Sequence, residues 1–300
     1  MIKNRKSLLE YSADISLLLA ALCWGSTFII VKNTINEIPV FSFLYIRFTL
    51  AFIFLSVFLI IRYKNLHLKA ILAGFVLGFL IYLIYAFQTV ALLYTKASIA
   101  AFITGSFIIF TPVLSLFILK KKPYKTSVYS VIITFLGLFL ITFKVNDISL
   151  SISDLFLLIN AFFVALHIIF IDKYSRKYDI HILTALQCFF MAILSFITAI
   201  ILKEPFLQLE ITPYVVFSLL YTSIFATAIA FLIQIGMQRF TTPTKTAIMF
   251  SVEPLSAPFF AYFISGETLT SIQYSGAFLI IIGILIAEIG TSKKYKNASH

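Results

Sequence analysis

Glu253 is the one acidic residue in the run KTAIMFSVEPLSAPFFAYFIS, and Pro254 and Pro258 follow it. A carboxyl group at the centre of so apolar a segment can bind a cationic group or exchange a proton. Left ionised at mid-bilayer it costs roughly 2.5–3.5 kcal/mol on insertion-type scales. Two readings stand side by side. Glu253 serves substrate binding or proton coupling, or it is a neutral acid donating to a carbonyl that the prolines leave without its helical N–H partner. Thr246, Glu253 and Ser256, at i, i+7 and i+10, would share one helical face and so form a cavity-lining stripe.

Other residues offer milder chemistry. Tyr82, Tyr85 and Gln88 put two polar-tipped rings and an amide in one segment, too deep for interfacial anchors. Trp24 and Thr27, three apart, make a similar pair. Asn160 and His167, seven apart, share a face; the histidine is either a proton-sensing group or a neutral packing residue. His167 to Asp172 also spells H-x4-D, but in a helix those side chains point about 140° apart. Gln234 is added by its relation to Gln88, set out below. Arg47 near one end of its segment either snorkels to the interface or clamps a carboxylate.

The elements that hold these residues are membrane helices. The chain of 300 residues is 61% hydrophobic and only 12% charged, with 34 Phe and a mean hydropathy of +1.04. A soluble domain is about half apolar and a quarter charged. About 20 apolar residues cross the hydrocarbon layer, and that ruler predicts ten spans: 14–33, 40–62, 69–93, 97–119, 126–143, 153–172, 180–202, 212–236, 243–264 and 272–290. The net charge of +11 is dispersed between apolar runs, which argues against nucleic acid as a partner. With the N-terminus inside, eighteen Lys and Arg fall on the inner side against four, Lys32, Lys96, Lys144 and Lys203, on the outer. Positive charge gathers inside, so both termini are expected in the cytoplasm, and the protein is expected to be a multi-pass protein of the cytoplasmic membrane. Cys23 and Cys188 sit in apolar runs as packing residues; no metal and no cofactor is expected. Gly74 and Gly78, and Gly276, Gly283 and Gly290, read as close helix contacts, with a homodimer as the lesser alternative.

The chain is also written twice. An offset of 140 lays Asp14 on Asp154 and Arg47 on Gln187. An offset of 146 lays Gln88 on Gln234, Ala101 on Ala247, Pro112 on Pro258 and Gly137 on Gly283. Five spans per half is an odd number, so the second half, 153–290, enters the membrane opposite to the first, 14–143. Inverted repeats place a substrate site near the midplane and alternate its access.

The stretches LLLAALCWGSTFIIVKN, TPVLSLFILKKKP, ALHIIFIDKYSRKYD and SVEPLSAPFFAYFISGETLTSIQYSGAFLIIIGILI resemble the EamA family of the drug/metabolite transporter superfamily. The resemblance implies ten helices in two five-helix repeats and a central cavity lined largely by spans 1, 3, 4, 6, 8 and 9. It implies transport of small metabolites, amino acids being a common case. One departure is that Phe107 stands where the first half would match Glu253. The expected function is secondary transport of a small metabolite, export rather than import, with rings from spans 1 and 3 and polar groups from spans 6 and 9 touching the substrate and protons as a candidate coupling ion. The alternative is a broad exporter of toxic compounds. An intramembrane enzyme lacks a convergent catalytic set, a channel lacks a filter sequence or charge ring, and no Walker motif supplies ATP.

Overall fold

The computed structural model describes residues 2–123, 125–142, 151–205, 211–266, 268 and 270–297, with 2–8, 141–142 and 287–297 described by backbone alone. The basic residues near both termini and Lys144, which enter the charge asymmetry, lie outside the described side chains, as does Gly290.

Among the described residues the chain is helical: α1 (Ile2–Thr34), α2 (Val40–Ile61), α3 (Leu68–Leu92), α4 (Ala97–Thr104), α5 (Phe107–Leu119), α6 (Lys125–Thr142), α7 (Ile152–Tyr174), α8 (Ile180–Ile201), α9 (Pro213–Ser223), α10 (Ala230–Gln238), α11 (Pro243–Phe250), α12 (Glu253–Ser265) and α13 (Ser271–Asn297). Among the described residues eight segments are long and apolar enough to cross a membrane, four of them built from α1, α2, α3 and the α4–α5 pair and four from α7, α8, α9–α10 and α11–α12. In α6 and α13 the apolar stretches Lys125–Leu140 and Ser271–Ile286 are shorter.

Helix starts follow local chemistry. Ser151 and Asp154 close a capping box at α7. Thr212 and Thr242 cap the helices that open at Pro213 and Pro243, where a missing N–H costs nothing. The N-cap of α2 is Pro39, which has no side-chain acceptor, and Glu204 supplies one from beyond α8. Its Oε2 accepts from the Ser42 N–H at 2.7 Å and from the Ser42 hydroxyl at 2.9 Å.

Two spans are broken at corresponding places. The α4–α5 span bends at Gly105 and Ser106, the α11–α12 span at Ser251 and Val252, and the offset of 146 carries one break onto the other. The second break has a cause in Pro254, whose ring excludes a helical bond to the Phe250 carbonyl. Bonds of i to i−3 type carry the chain through both: Ser106 N–H to Ile103 O, and Ser251 N–H to Ile248 O, each about 3 Å. Thr246 and Glu253 thus lie on different helices, and the expected common stripe with Ser256 is not present.

The helices pack in matched pairs. α2 lies against α8, α6 against α13, α3 against α7 as α1 against α9–α10, and α4 against α12 as α5 against α11. Small residues permit these approaches. A Cβ on Gly137 would meet the Gly276 carbonyl at 2.5 Å, and one on Gly283 would meet the Thr134 hydroxyl at 2.1 Å. Those glycines serve contacts within the chain, as do Gly74 and Gly78 of α3 against Leu186, Gln187 and Phe190 of α8.

Ion pairs gather at one end of the bundle. Asp172 at the end of α7 takes Lys121 and, at 3.1 Å, Arg176, which also reaches the Thr241 carbonyl. Arg62 pairs with Asp179 at 2.9 Å, and Lys245 of α11 pairs with Asp14 of α1. Asp14 and Asp154, aligned in sequence, thus do different work: an ion pair from α1 to α11, a cap at the start of α7. At the opposite end the links include Lys32 to the Thr95 carbonyl and Thr212 to Glu37 at 2.6 Å.

Candidate functional site

A cavity lies where both broken spans meet α1, α3, α7 and α10. Its wall carries Trp24, Thr27, Tyr85, Gln88, His167, Gln234 and Glu253, so seven of the nine residues singled out in sequence come together. The other two lie off the wall. Tyr82 turns toward α8 and shares a 2.7 Å hydrogen bond with the Thr198 hydroxyl. Asn160 is fully buried and donates through Nδ2 to the Ile84 carbonyl at 2.7 Å.

Each wall group is held by something identifiable. The Trp24 indole donates to the Ala226 carbonyl at 2.7 Å and packs edge-on against Phe250, 5.1 Å between centroids, and against Phe231 at 5.6 Å. Ala226 lies in the π-helical turn Ile224–Ile229 that joins α9 to α10; widened turns of this kind recur at functional sites. The Thr27 hydroxyl donates back to the Trp24 carbonyl at 2.7 Å. His167 Nε2 lies 3.3 Å from Gln187 Oε1, while Asp172 is engaged in its ion pairs, so H-x4-D forms no dyad.

Glu253 opens α12 with Pro254 beside it, and its side chain lies on the cavity wall. The backbone behind it is tightly set: a Cβ on Gly25 would lie 1.8 Å from the Ser256 hydroxyl and 2.7 Å from the Glu253 carbonyl. Two wall atoms, Thr104 Oγ1 and Gln234 Oε1, are buried with no protein partner among the described residues. Buried polar atoms are rarely left so, and here they face a space.

The wall has an internal order. Trp24 and Val164, and Thr27 and His167, are related by the offset of 140; Tyr85 and Phe231, Gln88 and Gln234, and Thr104 and Phe250 by 146. These five pairs make ten of the fourteen lining residues. Chemistry differs within four of the five pairs, hydroxyl against imidazole and phenol against phenyl among them, while Gln88 and Gln234 are alike, so one repeated frame carries two largely unlike half-walls.

Arg47 is what sequence reasoning placed wrongly. It does not snorkel: it is 1% exposed. Its Nε donates to the Thr227 hydroxyl at 2.9 Å, its Nη2 to the Tyr85 hydroxyl at 3.3 Å, and its guanidinium carbon stands 4.7 Å from the Tyr85 ring centroid. The signal that could have found this is its position eight residues inside a segment starting at Pro39, a full two turns from the end.

The chain matches the model of the EamA-like transporter family twice, over residues 11–143 and 151–288. It is 34% identical over 277 residues to a protein of Archaeoglobus fulgidus named an uncharacterized transporter, covering 92% of this chain and 86% of that one. A second protein of that organism with the same name is 25% identical over 93% of this chain and 97% of its own. A relative from Clostridium kluyveri, also named an uncharacterized transporter, is 27% identical over 59% of each chain. A protein of known crystal structure shares the fold, with a TM-score of 0.76 and 14% identity, over 93% of this chain and 96% of that one. These likenesses point to a transporter rather than an enzyme. The chain is a multi-pass membrane transporter and belongs to the EamA-like transporter family of the drug/metabolite transporter superfamily.

Proposed function

We propose that the protein is a secondary transporter that moves a small metabolite, an amino acid or related compound, out of the cell by alternating access at the central cavity. The observation that carries the reading is the paired wall: ten of fourteen lining residues are matched across the two halves. A site on the axis between two inverted five-helix units is met equally by both, and rocking one unit against the other exposes it to either side. Matched helix packing and corresponding breaks support ten crossings, with 14–143 and 153–290 as the units. The excess of Lys and Arg on one set of loops supports cytoplasmic termini in a cytoplasmic membrane.

In this reading Trp24, Tyr85, Phe231 and Phe250 hold the apolar body of the substrate. Gln88, Gln234, Thr27 and His167 meet its polar groups. Glu253, on the cavity wall, exchanges a proton or meets a cation. Tyr82 and Asn160 act from behind, by holding α3 against α8 and α7.

Counterflow in proteoliposomes tests it. Vesicles loaded with a mixture of unlabelled amino acids should accumulate at least one labelled amino acid, saturably and only when protein is present. The ring-rich wall also favours a second reading, a broad exporter of apolar cations; accumulation of unrelated aromatic cations with no amino acid would select that reading and discard the first.

A further inference from the structure

Arg47 is a permanent cation buried in an apolar protein with, among the described residues, no carboxylate within ion-pair distance. Two hydroxyls accept its hydrogen bonds, and two rings, Phe48 at 5.4 Å and Tyr85 at 4.7 Å, lie beside it. Such a charge is normally paired when it is buried. The two hydrogen bonds use Nε and Nη2; Nη1 has no acceptor among the described residues.

The guanidinium also borders a space. A small side pocket is lined by Arg47 together with Thr27, Phe28, Tyr85 and Gln88, and those four also line the central cavity. The side pocket is thus a branch of the main site, and Tyr85 stands at the junction, within electrostatic reach of both Arg47 and Glu253. The Nε bond to Thr227 anchors the fork to the π-helical turn, the element that also anchors Trp24.

We infer that this branch is an anion subsite: the transported molecule carries a carboxylate, which Arg47 receives through Nη1 and Nη2 while its apolar body lies among the rings of the central cavity. A planar guanidinium matches a carboxylate with two parallel bonds, and an arriving anion relieves the cost of the unpaired buried charge. The inference rests on the transport reading above and narrows it to carboxylates, excluding simple cations as the preferred cargo.

Trp24 is the one tryptophan of the chain and lies on the cavity wall, so its fluorescence reports binding at this site. Purified protein is titrated with L-phenylalanine, 3-phenylpropionate and phenethylamine, which share a ring and differ in charge. Both carboxylates should bind at least tenfold more tightly than the amine. Arg47→Gln should remove that difference, and Arg47→Lys, which keeps charge but not the fork, should restore only part of it. Equal or tighter binding of the amine, no binding of any of the three, or a difference that survives in R47Q overturns the subsite. If R47Q does not fold, the ranking by the unaltered protein decides alone. Counterflow of the same three compounds separates the two readings. Carboxylate-selective binding without counterflow removes the transport reading and leaves the subsite; equal counterflow of all three removes the subsite and leaves transport.

Discussion

Arg47 on α2 and Thr227 in the π-helical turn between α9 and α10 are joined by a 2.9 Å hydrogen bond from Nε to Oγ1, in the interior of the protein. Thr227→Val removes the acceptor at nearly constant shape and leaves a charged donor unsatisfied. A loss of about 1–3 kcal/mol is expected, read as a lower midpoint of thermal unfolding in detergent. An unchanged midpoint would mean that the turn is held in place without Arg47.

Gly25 tests the approach of α1 to the start of α12. Gly25→Ala sets a methyl group 1.8 Å from the Ser256 hydroxyl and 2.7 Å from the Glu253 carbonyl. Overpacking of this kind costs about 1–3 kcal/mol and should reduce transport as the wall moves. Adding Ser256→Ala removes the first clash and not the second, so rescue should be partial; full rescue would place the constraint on Ser256 alone.

Glu253→Gln keeps the shape of the side chain and ends its ability to carry a proton. In proteoliposomes an imposed pH gradient should alter the rate of substrate accumulation by the unaltered protein and not by E253Q. A gradient response that persists in E253Q assigns the coupling to another group.

Asp179 caps α8 outside the spans. Partial burial pushes its carboxyl up, but the His181 N–H, Arg62 and the His181 ring together outweigh it and hold the group below the ordinary aspartate value. A depressed carboxyl stabilises the folded protein at and above about pH 4, where unfolded aspartates titrate, and that contribution fades as the pH falls through the lower folded value. Asp179→Asn should flatten this acid dependence while keeping the cap. Asp179→Ala should cost about 1 kcal/mol at neutral pH. A midpoint in D179N that still falls with acid as in the unaltered protein would refer the effect to other carboxylates.

Much of this architecture was legible because length and polarity are local properties. The expected span 97–119 matches the outer bounds of α4 and α5, and 180–202 runs one residue past α8. Seven of the nine expected residues reached one wall because helical spacing selected the face of Trp24 and Thr27, and because the offset of 146 joined Gln88 to Gln234. What stayed hidden depends on distant partners. Nothing near Gly105 announces a break, since no proline stands where Pro254 stands in the other half; the bend is fixed by packing, with a Cβ at Gly105 only 3.2 Å from the Pro254 ring. Tyr82 and Asn160 carry the right chemistry and face the wrong way, because Thr198 and the Ile84 carbonyl take their polar atoms. The burial of Arg47 depends on a hydroxyl 180 residues away.

Alternating access is tested most directly by thiol labelling at the cavity. With Cys23→Ser and Cys188→Ala as background, a cysteine placed at Thr27 is exposed to an impermeant reagent added to one face of oriented vesicles and then to the other. Labelling from either face is expected. Asp172→Asn, which releases Lys121 and Arg176 at the ion-paired end, should raise labelling from the face at that end and lower it from the other one. A simultaneous rise from both faces, or labelling confined to one face in both proteins, contradicts a site that opens to only one side at a time.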